Sequence, residues 1–195
     1  MSIRILAGCR RGALLAAPPG ESTRPLLTRV RQALFDVLGE RTPDSRVLDL
    51  FAGSGAVGIE ALSRGARWAT FVDQGPAAIE TIRRNLAKVR FEDRARTVRA
   101  TLPGAIEALP VPPDMERYDL VFVMPPFGEA LLGPALERLA AARDLIAPGA
   151  CIVGQLERNE PVPTLPPSAS LALVEERLYG VNRLLFWLAR KGKPR

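Results

Sequence analysis

The stretch VLDLFAGSGAVGIEAL, residues 47 to 62, is the tightest constraint on what this chain can fold into. A short apolar run of buried-strand character ends in Gly53-Ser54-Gly55, and a helical pattern opens directly after it. Gly53 and Gly55 let the backbone turn sharply and approach a ligand closely, while the helix start supplies unpaired N–H groups. The next apolar run, WATFVD, ends on Asp73, where a carboxylate can accept hydrogen bonds from both hydroxyls of a ribose. Tight strand–helix packing would account for the glycines but not for a carboxylate in register with them. A nucleotide-like ligand at this loop is the expectation.

Strands and helices alternate from residue 46 onward. RVLDLF, WATFVD, RTVRA, YDLVFVM, GACIVGQLE, LALVEERLY and NRLLFWLAR read as seven strands. AVGIEALSRG, PAAIETIRRNLAKV and a region from about Glu129 to Leu145 read as helices, with a further helical stretch near 103 to 109. The last two strands meet at Gly180 with no helix between them, which predicts an antiparallel hairpin. The fold class is therefore α/β: a Rossmann-like, mostly parallel seven-stranded sheet with a terminal antiparallel hairpin, the arrangement used by class I methyltransferases. A small N-terminal β/helical extension precedes it. IRILAG and ALLAAP suggest two short strands, and a helix follows from Thr28 with Val30, Ala33, Leu34, Val37 and Leu38 on one face. Residues 1 to 40 are assigned to the extension and 41 to 195 to the main domain.

Asp49 lies inside the otherwise apolar first strand of the sheet. A carboxylate there either faces a cationic ligand end or is satisfied by loop amides. The first option favours S-adenosylmethionine (SAM), with its ammonium and sulfonium, over a nicotinamide or flavin dinucleotide. The stretch VFVMPPFG, residues 121 to 128, agrees: Pro-Pro-aromatic after a buried strand is natural in amino-methyltransferases and foreign to hydride transfer.

Composition narrows the field. The 195 residues contain no histidine, which removes imidazole bases, His-based triads and most transition-metal sites. Cys9 and Cys151 have no metal-ligand spacing, so neither a metal nor a disulfide is expected. Apolar runs are too short to cross a bilayer and the start lacks a signal-peptide pattern, so a cytoplasmic, membrane-free protein is expected. The net charge is +6, and all basic residues except Lys88, Lys191 and Lys193 are arginine. A GC-rich coding bias explains part of that. Residues 1 to 31 nevertheless carry Arg4, Arg10, Arg11, Arg24, Arg29 and Arg31 against the single acid Glu21, which points to a polyanionic partner.

Joined together, IRILAG, RRG, TRP at 23 to 25, RVRQALF at 29 to 35, VLDLFAGSGAVGIEALSRGA, FVD, DLVFVMPPF and the YG hairpin resemble the RsmD-type 16S ribosomal RNA guanine-N2 methyltransferases over nearly the whole chain. The resemblance implies methyl transfer from SAM to the exocyclic N2 of a guanine in small-subunit ribosomal RNA. It places cofactor-binding positions at Asp49, Phe51, Gly53, Ser54, Gly55, Asp73 and Thr101. The catalytic loop falls on Met124, Pro125, Pro126 and Phe127. Contacts to ribosomal RNA or the assembling small subunit fall on Arg10, Arg11, Arg24, Arg29 and Arg31, and a monomer is expected.

Three positions depart from the family pattern. Met124 stands where Asp or Asn usually precedes Pro-Pro, Thr28 where Asp usually precedes the RVR block, and Thr101 where Asp or Asn commonly meets the adenine amino group. Removing one acceptor from a preorganised site costs on the order of 10² to 10³ in rate. The alternative reading is thus a catalytically weakened or inactive methyltransferase-fold protein that binds RNA in ribosome assembly.

Overall fold

The computed structural model describes residues 2–19, 28–114 and 116–190. Arg24 and the TRP segment lie outside them. In chain order the elements are β1 (Ser2–Arg4), β2 (Leu14–Ala16), α1 (Thr28–Leu38), β3 (Arg46–Leu50), α2 (Ala56–Ser63), β4 (Trp68–Asp73), α3 (Pro76–Val89), β5 (Ala95–Arg99), β6 (Tyr118–Val123), α4 (Leu132–Ala141), β7 (Ile146–Glu157), β8 (Leu171–Tyr179) and β9 (Asn182–Ala189). β3 to β9 form one sheet in the order β5-β4-β3-β6-β7-β9-β8. β3, β4, β5, β6 and β7 pair in parallel, and β9 pairs antiparallel with both β7 and β8. All seven strands and the terminal hairpin fall where the apolar runs predict.

Strand order reverses between β3 and β6, and ligands in open α/β sheets bind outside the carboxyl ends at such a switch. The glycine loop leaves β3 and MPPFG leaves β6, so topology alone brings the two stretches face to face.

Two apolar layers cover the sheet. On one face Leu120, Phe122, Cys151 and Val153 pack with α1, α2, α3 and the β1–β2 ribbon. On the other, Val121, Val123 and Ile152 pack with α4 and the Ile106 turn. α2 is buried along its whole length because the ribbon covers the side that the sheet does not.

The N-terminal ribbon is locked down by a polar device invisible in the sequence pattern. Glu60, on α2 and fully buried, accepts hydrogen bonds from the N–H groups of Leu6 (2.8 Å) and Ala7 (3.0 Å) and from Arg64 Nε (2.8 Å). Ser63 Oγ donates to the Ala7 carbonyl at 2.6 Å and accepts from Arg10 N–H. Gly8 sits so close to this helix that a Cβ would lie 1.7 Å from the Ser63 carbonyl oxygen, and its φ of +79° also demands glycine. Asn85, on α3, accepts from Ala16 N–H and donates to the carbonyls of Ala16 and Ser54, tying β2 to the glycine loop.

Arg31 requires a correction. Expected as an RNA contact, it is 1% exposed, lies 3.8 Å from Glu60 and donates to the Arg4 carbonyl at 2.5 Å. Burial pulls its guanidinium pKa down, with Glu60 opposing the shift. It points inward because it shares the α1 face of Leu34, Phe35 and Leu38. α4 is also shorter than predicted. Gly128 and Ala130 adopt positive φ before it, and the chain after Ala141 turns into β7 at Ile146. The stretch at 103 to 109 contains only a 3₁₀ turn, Ile106–Ala108.

Candidate active site

A cleft of about 620 Å³ opens at the carboxyl ends of β3, β4, β6 and β7. Its size lies within the range of small-molecule and cofactor sites. One wall is the glycine loop. Phe51 and Gly53 take φ values of +59° and +53°, and Gly55, at +75°, is buried against Ile82 where it opens α2. The opposite wall is Met124 to Phe127, and Ala17 and Pro18 of the ribbon close a third side.

Asp73 organises the glycine loop. Its Oδ2 accepts from Gly53 N–H and its Oδ1 from Gly75 N–H, both at 2.8 Å. Each carboxylate oxygen has lone-pair capacity left for a ligand hydroxyl. Asp49 is different. It is 2% exposed and, among the described residues, accepts a single hydrogen bond, from Gly58 N–H to Oδ2 at 3.0 Å. Burial raises its pKa from the ordinary 3.8 to about 8, the Gly58 bond opposing and the Asp73 charge adding. A neutral or weakly compensated acid at the floor of a nucleotide-sized cleft suits a cationic ligand.

That shift has a measurable consequence in the free protein. A carboxyl with a raised folded-state pKa holds its proton more tightly folded than unfolded. Its contribution is most favourable below pH 4, is lost progressively from there to pH 8, and is constant above. Stability should therefore decline from pH 5 to 8 in denaturant melts, and Asp49→Asn should flatten that decline. An unchanged slope in the variant would assign it to other groups.

Met124 is half-buried and packs against the core, with its N–H 3.5 Å from the Leu50 carbonyl. Pro125 is buried, while Phe127 is 40% exposed and lies over the cleft mouth. Glu160 anchors the end of this loop, accepting from Gly128 N–H (3.3 Å) and Glu157 N–H (3.1 Å).

Asp49, Phe51, Gly53, Ser54, Asp73, Met124, Pro125, Pro126 and Phe127 thus come together on one cleft. Thr101 does not. It is exposed outside the lining, and its neighbour Leu102 takes the wall. Thr28 is exposed at the start of α1. Arg11 and Arg29 are exposed, whereas Arg10 is half-buried, donating from Nε to the Val89 carbonyl at 2.7 Å with its guanidinium 5.4 Å from the Phe91 ring centroid. Trp187 is buried and Tyr179 is half-buried beside the core, and neither lines the cleft. The sequence reading missed Gln155 and Glu157, which line the cleft from β7. Among the described residues no cluster of three or more His, Cys, Asp or Glu could hold a metal ion, and no helix is long and apolar enough to cross a membrane.

A glycine loop and an acidic residue on adjacent parallel strands, facing a Pro-Pro-aromatic loop on a sheet closed by an antiparallel hairpin, define the class I methyltransferase fold. Residues 3–188 match the family described as Conserved hypothetical protein 95, and the chain belongs to that RsmD family. It is 36% identical over 169 residues to the ribosomal RNA small subunit methyltransferase D of Escherichia coli K12, covering 87% of this chain and 82% of the relative. The enzyme of the same name from Haemophilus influenzae is 31% identical, with 91% and 93% covered. The solved structure of Escherichia coli yhhF superposes with a TM-score of 0.82 at 33% identity, covering 97% of this chain and 99% of that one.

Proposed function

We propose that this protein transfers a methyl group from SAM to the exocyclic N2 of a guanine in small-subunit ribosomal RNA. The observation that carries the reading is the meeting of two loops on one cleft: the Asp73-anchored glycine loop and the Pro125–Phe127 loop. The relatives' names, which specify small-subunit ribosomal RNA, supply the substrate class. When bound, SAM supplies an electrophilic methyl on a positively charged sulfur. The residues fit such a ligand: Asp73 for the ribose, the glycine loop for close backbone approach, and buried Asp49 for positive charge.

The protein's part is positioning. An exocyclic amine is conjugated to its ring and is a poor nucleophile. The Pro125 carbonyl accepts from the NH₂, and Phe127 stacks on a base withdrawn from its surroundings. Arg11 and Arg29, exposed, and the partly exposed Arg10 contact the RNA backbone.

Phe127→Ala should lower kcat/KM about 10- to 100-fold, from the roughly 1–3 kcal/mol that base–aromatic stacking contributes, while leaving SAM affinity unchanged. The decisive experiment combines SAM calorimetry with methyl transfer to small-subunit particles lacking the modification, followed by mapping of the product base. Transfer to guanine N2 is the expected result. SAM binding without transfer, restored by Met124→Asp, would recast the protein as an RNA-binding relative with a disabled site. Binding of a nicotinamide dinucleotide and not SAM would overturn the reading.

A further inference from the structure

Gln155 is the single polar side chain in the buried run ACIVGQL of β7. Register fixes its neighbour. β6 and β7 run parallel with Phe122 opposite Val153 and Val123 opposite Gly154, so the next step along both strands sets Gln155 beside Met124. Leu120, Phe122 and Met124 pack on the same face as Cys151 and Val153, and period two puts Gln155 on that face as well. The two side chains project from strands roughly 4.8 Å apart, and both line the cleft.

A chain of hydrogen bonds orients the Gln155 amide. Asn182, on β9, donates from Nδ2 to the Tyr179 carbonyl at 3.4 Å, and that oxygen can only accept. Asn182 Oδ1 is thereby turned to Gln155 and accepts from its Nε2 at 2.7 Å. Gln155 Oε1 remains. Among the described residues it accepts no hydrogen bond, yet it is not one of the buried polar atoms sealed off without a partner, which leaves it facing the cleft. Glu157, the next residue on this face, is exposed at the cleft mouth, where water competes for its charge.

The geometry points to Gln155 Oε1 as the side-chain acceptor that holds the substrate's exocyclic amine, in place of the acceptor that Met124 does not provide. The inference rests on the proposed amine methylation. In that reaction the nitrogen lone pair forms the new N–C bond, and the C–S bond breaks with its electron pair retained by sulfur, which becomes a neutral thioether. Positive charge moves from sulfur to nitrogen. The N–H held by Oε1 is then attached to a more positive nitrogen in the transition state than in the ground state, so the bond strengthens where it accelerates transfer. A neutral amide oxygen does not keep the proton, which leaves to water.

The test measures methyl transfer to unmodified small-subunit particles by the parent, Gln155→Leu, Gln155→Glu, Met124→Asp and the Met124→Asp/Gln155→Leu pair. Gln155→Leu should lower kcat about 10²-fold, the effect of removing one preorganised hydrogen-bonding partner. Its SAM affinity, and its affinity for particles titrated with S-adenosylhomocysteine present, should match the parent, which a merely structural role would not preserve. Gln155→Glu keeps an acceptor but sets a carboxylate oxygen against Asn182 Oδ1, so its kcat should fall below the parent's and stay above that of Gln155→Leu. The double variant should regain what Gln155→Leu loses. A folded Gln155→Leu protein with parental kcat overturns the assignment, as does a parent that is inert while Met124→Asp transfers. Should Gln155→Leu fail to fold, a folded Gln155→Glu protein with kcat lowered as far as expected for leucine overturns it equally. Wherever the parent transfers, the proposed reaction stands; a parent that is inert until Met124→Asp is introduced removes the proposed activity as well and leaves a disabled site. SAM binding with transfer by neither the parent nor Met124→Asp overturns the reaction itself, and the acceptor with it.

Discussion

Alanine at Asp73 should raise the Kd for SAM by at least about 100-fold, equivalent to roughly 2.7 kcal/mol. One side chain serves two purposes there. Its oxygens hold Gly53 N–H and Gly75 N–H at 2.8 Å each, fixing the glycine loop and the entry to α3. Hydrogen bonds to a charged acceptor contribute about 1.5–3 kcal/mol apiece, and alanine removes both together with the proposed ribose acceptor. Asn at this position keeps one oxygen and should fall between the two. Titration calorimetry of the three proteins checks the order. A Kd for the alanine variant equal to the parent's would mean that the ligand does not use this wall.

The second large effect is on stability. Glu60→Ala should destabilise the protein by about 3–5 kcal/mol, the cost of leaving a buried charge without its partner. The carboxylate is fully buried beneath the N-terminal ribbon, and its loss strands Arg31 and the N–H groups of Leu6 and Ala7 together. Replacing both charges, as in Arg31→Met with Glu60→Leu, should recover part of the loss, because the fully buried guanidinium is removed with its partner. Arg64 and the N–H groups of Leu6 and Ala7 still lack their acceptor. Equilibrium denaturation in urea measures all three. A Glu60→Ala midpoint equal to the parent's would show that water reaches this site.

Much of the architecture could be read before any coordinates, for a physical reason. The inner parallel strands β3, β4, β6 and the second half of β7 are buried on both faces, so they appear as largely apolar runs bounded by glycine, proline or charge. The edge strand β5 is half-exposed. The glycine loop and MPPFG lie at the ends of such runs, and the β3–β6 switch brings them together. What stayed hidden depends on pairing between distant segments. Gln155 becomes meaningful only once β7 is known to lie between β6 and β9. Glu60 looks like an ordinary helix glutamate until the ribbon, 53 and 54 residues earlier, is laid over it. Arg31 is the instructive error. Its charge suggested an outer position, yet the spacing to Leu34, Phe35 and Leu38 already placed it on the apolar stripe. Thr101 failed because the chain past β5 leaves the alternation of a strand, and Leu102 is the residue that turns inward.

Asn85 makes three hydrogen bonds, two to the backbone of Ala16 and one to the Ser54 carbonyl. Ala17 and Pro18, next to the first of these, and Ser54 itself all line the cleft. Two walls separated by more than thirty residues are therefore pinned to one amide on a third element. The conformational entropy of ordering those walls is lost when the chain folds, not when the ligand arrives. Ligand capture on this side of the cleft should resemble docking into a finished mould.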